Sequence, residues 1–154
     1  MTMLKDVLAI THCYPKDNKD SSGVWLKRAF EKIDVLVIGK WDMFSLKRIM
    51  ELRQGKGLLI ACWVIPAGIL AYLSGRPYIM YCLGLDCFWA KRHKTVAWLF
   101  RPILDRSVKM TFSSRHLMET MNAAYGDRFL SKSQVIHLPV SNEEFYPNED
   151  PLNR

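Results

Sequence analysis

Short apolar runs bounded by polar, turn-forming residues recur along the chain. They lie at 7–11 (VLAIT), 35–39 (VLVIG), 58–63 (LLIACW), 78–82 (YIMYC), 108–112 (VKMTF) and 134–138 (QVIHL). Mostly continuous apolarity, rather than strict alternation, marks strands covered on both faces, so six buried strands are predicted. The segments between them have helical spacing. Residues 23–33 mix Trp25, Leu26, Ala29, Phe30 and Ile33 with charges, and Ser21 or Ser22 can cap that helix. Residues 43–53 and 67–73 follow, the latter led by Pro66 in its first turn. Residues 89–104 set Val96, Phe100, Ile103 and Leu104 on one stripe, and Ser113 or Ser114 caps a last helix that runs to Tyr125 and stops at Gly126.

Strands that alternate with helices need crossover connections, and these are almost always right-handed, so the pattern predicts an α/β, Rossmann-like three-layer domain with a mainly parallel sheet. It spans 1–140. Residues 141–154 carry two prolines and four acids and read as a linker or hinge tail. The longest apolar stretch, 58–73, is broken by Pro66 and Gly68 and falls short of the roughly 20 residues of a membrane-spanning helix. The first ten residues have no cleavage-site pattern, so a cytoplasmic chain is expected.

Composition narrows the class further. With 154 residues, 49% apolar and 24% charged, the chain is neither disordered, collagenous nor disulfide-dense. It can bury a core unaided, yet it is short for an enzyme that closes two lobes over a substrate. Cys13, Cys62, Cys82 and Cys87 fit no zinc-knuckle or CxxC spacing, and His93, His116 and His137 have no partner at ligand spacing, so no metal and a reducing compartment are expected.

In open parallel sheets ligands bind outside the carboxyl ends of the strands, which directs attention to 12–23, 63–68 and 83–88. Gly23, lacking a Cβ, lets backbone N–H groups approach a phosphate at a helix start, with the Ser21 and Ser22 hydroxyls beside it. The same three residues can equally do no more than cap a helix. Asp86 follows a strand end, where it can accept hydrogen bonds from an acceptor hydroxyl or cap an Asx turn. His12, at the end of the first strand, is a ligand contact or a packed loop anchor.

The net charge of +7 is unevenly spread: residues 40–115 hold 13 Lys and Arg against 4 Asp and Glu. Within them Lys91, Arg92, Lys94, Trp98 and Arg101 flank the apolar stripe of 89–104, a combination suited to an anionic membrane surface as well as to an ordinary solvated helix face. Nucleic acid is not expected as a partner, since no helix-turn-helix, RNP or GXXG signature accompanies the charge.

These segments, taken in order, resemble the amino-terminal lobe of glycosyltransferase family 4. The resemblance rests on His12-Cys13-Tyr14-Pro15, Ser21-Ser22-Gly23, Trp63-Val64-Ile65-Pro66-Ala67-Gly68, Arg76-Pro77-Tyr78, Leu83-Gly84-Leu85-Asp86, 108–114 (VKMTFSS), and 135–141 (VIHLPVS) with Phe145-Tyr146-Pro147. It runs through nearly the whole chain. It implies one lobe of a two-lobed GT-B fold and a retaining, metal-independent transfer from a nucleotide-sugar co-substrate to a glycan or lipid-linked acceptor, in polysaccharide or glycolipid synthesis. It further implies donor-phosphate contacts from Ser21, Ser22 and Gly23, cleft-lining positions at His12, Pro66, Gly68, Gly84 and Asp86, and a separate carboxyl-terminal donor-binding lobe without which the isolated chain is inactive. Peripheral attachment at the inner face of the membrane is in keeping with a lipid-linked acceptor. The pattern departs at Leu83-Gly84-Leu85-Asp86, where many relatives carry His-Gly-Ser-Asp, because leucine cannot donate to a phosphate or sugar hydroxyl. It departs again at Ile60-Ala61-Cys62, which replaces a His-rich stretch. A non-catalytic binding module of the same fold, and an α/β phosphate-ligand protein unrelated to sugar transfer, are the alternatives.

Overall fold

A computed structural model describes residues 6–11, 30, 32–39 and 42–137, with the backbone alone at Met43. Six strands, β1 (Val7–Thr11), β2 (Asp34–Val37), β3 (Leu58–Cys62), β4 (Tyr78–Cys82), β5 (Lys109–Phe112) and β6 (Ser133–Val135), form one sheet in the order β2-β1-β3-β4-β5-β6. Every neighbouring pair is parallel; Ile10, for example, sits between Leu36 and Ala61. The fold is therefore α/β and Rossmann-like, as the strand pattern predicts. The last strand is shorter than the apolar run suggests. β5 ends at Phe112, whose carbonyl accepts from Ile136 N–H at 2.8 Å, and beyond that bond the ladder has no partner.

Among the described residues five α-helices connect the strands: α1 (Leu46–Gln54), α2 (Ile69–Ser74), α3 (Leu85–Arg92), α4 (Lys94–Arg106) and α5 (Arg115–Ala124). All connections after β2 advance across the sheet in one direction, so a constant right hand puts their helices on one face. There Ile10, Leu59, Ala61, Tyr78, Met80, Cys82, Met110 and Phe112 meet Leu70, Phe100, Leu104 and Met121 in the main core. The β1-to-β2 connection runs the other way. Phe30 and Ile33, the described end of the expected 23–33 helix, pack on the opposite face against Ala9, Ile60, Cys62 and Tyr81.

Residues 83–104 depart from expectation. In place of one helix over 89–104 there are two helices, α3 beginning already at Leu85, separated by extended backbone at His93 (φ −127°, ψ 107°). Gly84, at φ 137°, turns the chain straight off β4, and its carbonyl accepts from Cys87 N–H (2.9 Å) and Phe88 N–H (3.2 Å), which starts α3 at once. The break lets Ala90 of α3 and the Phe100, Ile103 and Leu104 stripe of α4 reach the core separately.

Several cations of this basic chain cap helices rather than meet ligands. The last carbonyls of a helix lack intrahelical partners and carry partial negative charge, so a cationic donor there is favourable. Arg76 donates to Leu52 O (3.3 Å), Gly57 O (3.3 Å) and Lys56 O behind α1. Arg106 reaches Tyr72 O (3.2 Å) and Gly75 O (3.0 Å) behind α2, and Lys132 bonds Leu104 O, Asp105 O and Ser107 O at the end of α4. At the amino ends, Ser45 accepts from Arg48 N–H and Ser114 from Leu117 N–H, so of the two candidate serines Ser114 caps α5.

Candidate functional site

The sheet reverses direction beside β1, since β2 lies on one side of it and β3 on the other. The carboxyl ends of β1 and β3 at such a switch point are where ligands of open α/β sheets bind, in the crevice that the reversal creates. His12, Ser21, Ser22 and Gly23 belong to the segment that follows β1 and lie outside the described residues. The segment that follows β3 is described. After β3 the chain makes a tight, kinked helical turn over Trp63–Gly68, with Trp63 at φ 69° and a cis bond between Ile65 and Pro66.

One side chain holds this turn. The Asp86 carboxylate, in the first turn of α3, accepts from Val64 N–H at 3.1 Å, joining the loop after β3 to the helix after β4. Asp86 is only 3% exposed, and burial pushes its carboxyl up to about 7, opposed by the Val64 hydrogen bond. Beneath it Cys62, Cys82 and Cys87 are buried free thiols. Burial raises Cys62, while a hydrogen bond with Cys87, followed by burial, raises Cys82, so these two are protonated and not nucleophiles at neutral pH.

The structure thus brings Pro66, Gly68, Gly84 and Asp86 together at the carboxyl ends of β3 and β4, and it buries all four. They form a wall beneath the surface of the turns that follow β3 and β4. Gly68 shows how closely it is packed: a Cβ there would stand 2.6 Å from Met80 Cε and 3.2 Å from Ile103 Cγ2. Trp63, Ile65 and Leu83 are half-buried, and Leu85 is exposed. This wall is predominantly apolar, suited to stacking against a ring or an alkyl chain. Among the described residues no three His, Cys, Asp or Glu side chains converge to hold a metal.

The basic segment has a geometry that the sequence reading missed. Leu85, Phe88, Trp89 and Arg92, spaced i, i+3, i+4 and i+7 on α3, form an exposed stripe. Lys91, Arg92, Lys94 and Arg101 are all exposed, and Trp98 is 70% exposed. The spacing was visible, but an aromatic stripe beside a strand reads as core until the fold shows it facing out. Among the described residues no helix is long and apolar enough to cross a membrane.

Fold and crevice together define the class: an α/β, Rossmann-like protein with a candidate ligand crevice at its sheet switch point. Comparison with protein-family models finds no matching family, and comparison with curated proteins finds no match.

Proposed function

We propose that this chain is the amino-terminal, acceptor-side lobe of a retaining, nucleotide-sugar-dependent glycosyltransferase of family 4, acting in polysaccharide or glycolipid synthesis. The observation that carries the reading is the all-parallel sheet with its switch point between β1 and β3, together with the turn after β3 that Asp86 holds there. In this reading the leaving diphosphate gathers charge as the sugar departs. Backbone N–H groups at Gly23, with the Ser21 and Ser22 hydroxyls, stabilise that charge without reorganising. The acceptor lies over Trp63, Ile65 and Leu83, and His12, the residue that follows β1 in the chain, is a candidate contact for it. A carboxyl-terminal lobe holds the nucleotide. Asp86 is a positioning residue, since its carboxylate is spent on Val64 N–H.

The test uses the protein in its own cells. Membranes from cells whose chromosomal copy carries Gly23→Asp are given radiolabelled nucleotide-sugars and compared with membranes holding the original chain at equal abundance. A carboxylate at the phosphate site is expected to lower incorporation at least tenfold, as for loss of one anion-stabilising donor set. Equal incorporation overturns the role of Gly23. The burial of Asp86 and the apolar Leu83 favour a second reading, a non-catalytic module of the same fold. That reading gains if no nucleotide-sugar gives label dependent on the chain.

We also propose that the chain works at the inner face of a membrane, docked through the α3 stripe and the cations around it. Aromatic residues enter the interfacial zone while each nearby Lys or Arg adds about 1 kcal/mol against anionic lipid. Flotation with phosphatidylserine vesicles is expected to weaken as salt rises and to be lost when Lys91, Arg92 and Lys94 are all changed to Glu. Flotation unchanged by both treatments removes this reading.

A further inference from the structure

A groove of about 630 Å³ runs between α4 and the end of α5, lined among others by Lys94, Trp98, Arg101, Tyr125 and Arg128. It lies away from the crevice. Asp105 and Arg128 precede β5 and β6 in the chain, so this end of the groove belongs to the amino ends of those strands. Three cations, Lys94, Arg101 and Arg128, line it, and a single carboxylate, Asp105, is shared between Arg128 (2.7 Å) and Arg101 (3.7 Å). The groove therefore keeps an excess of positive charge. The Tyr125 hydroxyl, which donates to Ala97 O at 2.9 Å, ties the end of α5 to α4, and the space around Gly126 is open, with nothing within 4 Å of a would-be Cβ.

A second hollow of about 420 Å³ adjoins it, lined by Trp98, Leu99, Arg101, Pro102 and Asp105. Trp98 and Arg101 line both and form the ridge between them. One hollow is cationic and the other largely apolar, and Leu99 is 54% exposed. This pairing is complementary to one molecule with an anionic head and a hydrocarbon tail. The groove volume also falls within the range of small-molecule sites.

We propose that the α4–α5 groove is a discrete binding site for the phosphate head of one anionic membrane phospholipid, with the start of an acyl chain laid along Trp98, Leu99 and Pro102. The site deepens the membrane reading above and rests on it for the source of the lipid. Guanidinium groups suit phosphate because their donors form a planar fork, and Trp98 offers an amphipathic ring at the boundary between head and tail.

Dihexanoyl phosphatidic acid, kept below its micelle concentration, is titrated into the full chain by calorimetry. The matching arms are dihexanoyl phosphatidylcholine and inorganic phosphate. One-site binding of the phosphatidic acid is expected, at least tenfold tighter than either control. Arg128→Gln and Lys94→Gln are each expected to weaken it about fivefold. Arg128 lies outside the α3 stripe, so its variant tests the groove separately from the stripe. Three results overturn the proposal: binding that neither variant weakens, phosphatidylcholine binding as well as phosphatidic acid, or inorganic phosphate binding as well as the lipid, which would mark a free-anion site. Failure of the unaltered chain to float with anionic vesicles, with short-chain binding intact, sinks the membrane reading and leaves the groove standing.

Discussion

Asp86→Asn is expected to remove a pH dependence of stability between about pH 4 and pH 7. Burial pushes the folded-state carboxyl up from its ordinary 3.8 to about 7, so across that window the folded chain holds a proton that the unfolded chain has released. Stability changes with pH in proportion to the protons bound unfolded minus those bound folded, and here that difference is negative. The contribution of Asp86 is thus fully present below about pH 4 and is lost as pH rises through about 7. A gap of this size corresponds to on the order of 4 kcal/mol. Asn keeps an oxygen to accept from Val64 N–H and carries no charge, so the variant is expected to match the original chain near pH 4 and exceed it at pH 8. Urea unfolding of both proteins at pH 4.5, 6 and 8 measures this. Two parallel stability profiles would show that Asp86 ionises in the fold as freely as in water.

The second large effect is expected at Arg76. Its guanidinium donates to three carbonyls, at Leu52, Lys56 and Gly57, and so joins the end of α1 and the approach to β3 to the residue before Pro77. Arg76 is 9% exposed, so water does not readily replace it. Methionine fills much of the same apolar path and donates nothing, which leaves carbonyls at the end of α1 without their cationic partner. Arg76→Met is expected to cost about 3 kcal/mol, from hydrogen bonds to a charged donor and the desolvation of the orphaned acceptors. For a chain of this size that lowers Tm by roughly 10 °C. A change of under 2 °C by calorimetry would mean that these carbonyls reach water on their own.

Both effects bear on the proposed chemistry. Asp86 sets the wall of the crevice and Arg76 sets the entry to β3 and β4, so each acts on the site through the backbone. The cations split in the same way. Arg76, Arg106 and Lys132 serve helix ends, whereas Lys91, Arg92, Lys94 and Arg101 stand exposed. A basic composition therefore exaggerates the charge available to a ligand.

Much of the fold was legible in the chain. An apolar run such as 78–82, stopped on each side by turn residues, has few ways to hide both its faces except as a central strand between helices. The break at His93 was not legible, because Lys91, Arg92, His93 and Lys94 are all acceptable in a helix and the apolar stripe of α4 continues the spacing. Nor could the sequence show that Asp86 is buried. The spacing that makes it a first-turn residue also suits an exposed cap, and its partner Val64 lies 22 residues away.

What the sequence alone determined is the alternation of buried strands and amphipathic helices, and with it a parallel sheet, because local periodicity and the right-handed crossover leave little else. Tertiary packing decided which polar groups stay available. Asp86 and Arg76 were turned inward by partners distant in sequence, while Trp98 and the α3 stripe were left outside, since burial is settled by what packs against a residue and not by its own hydrophobicity.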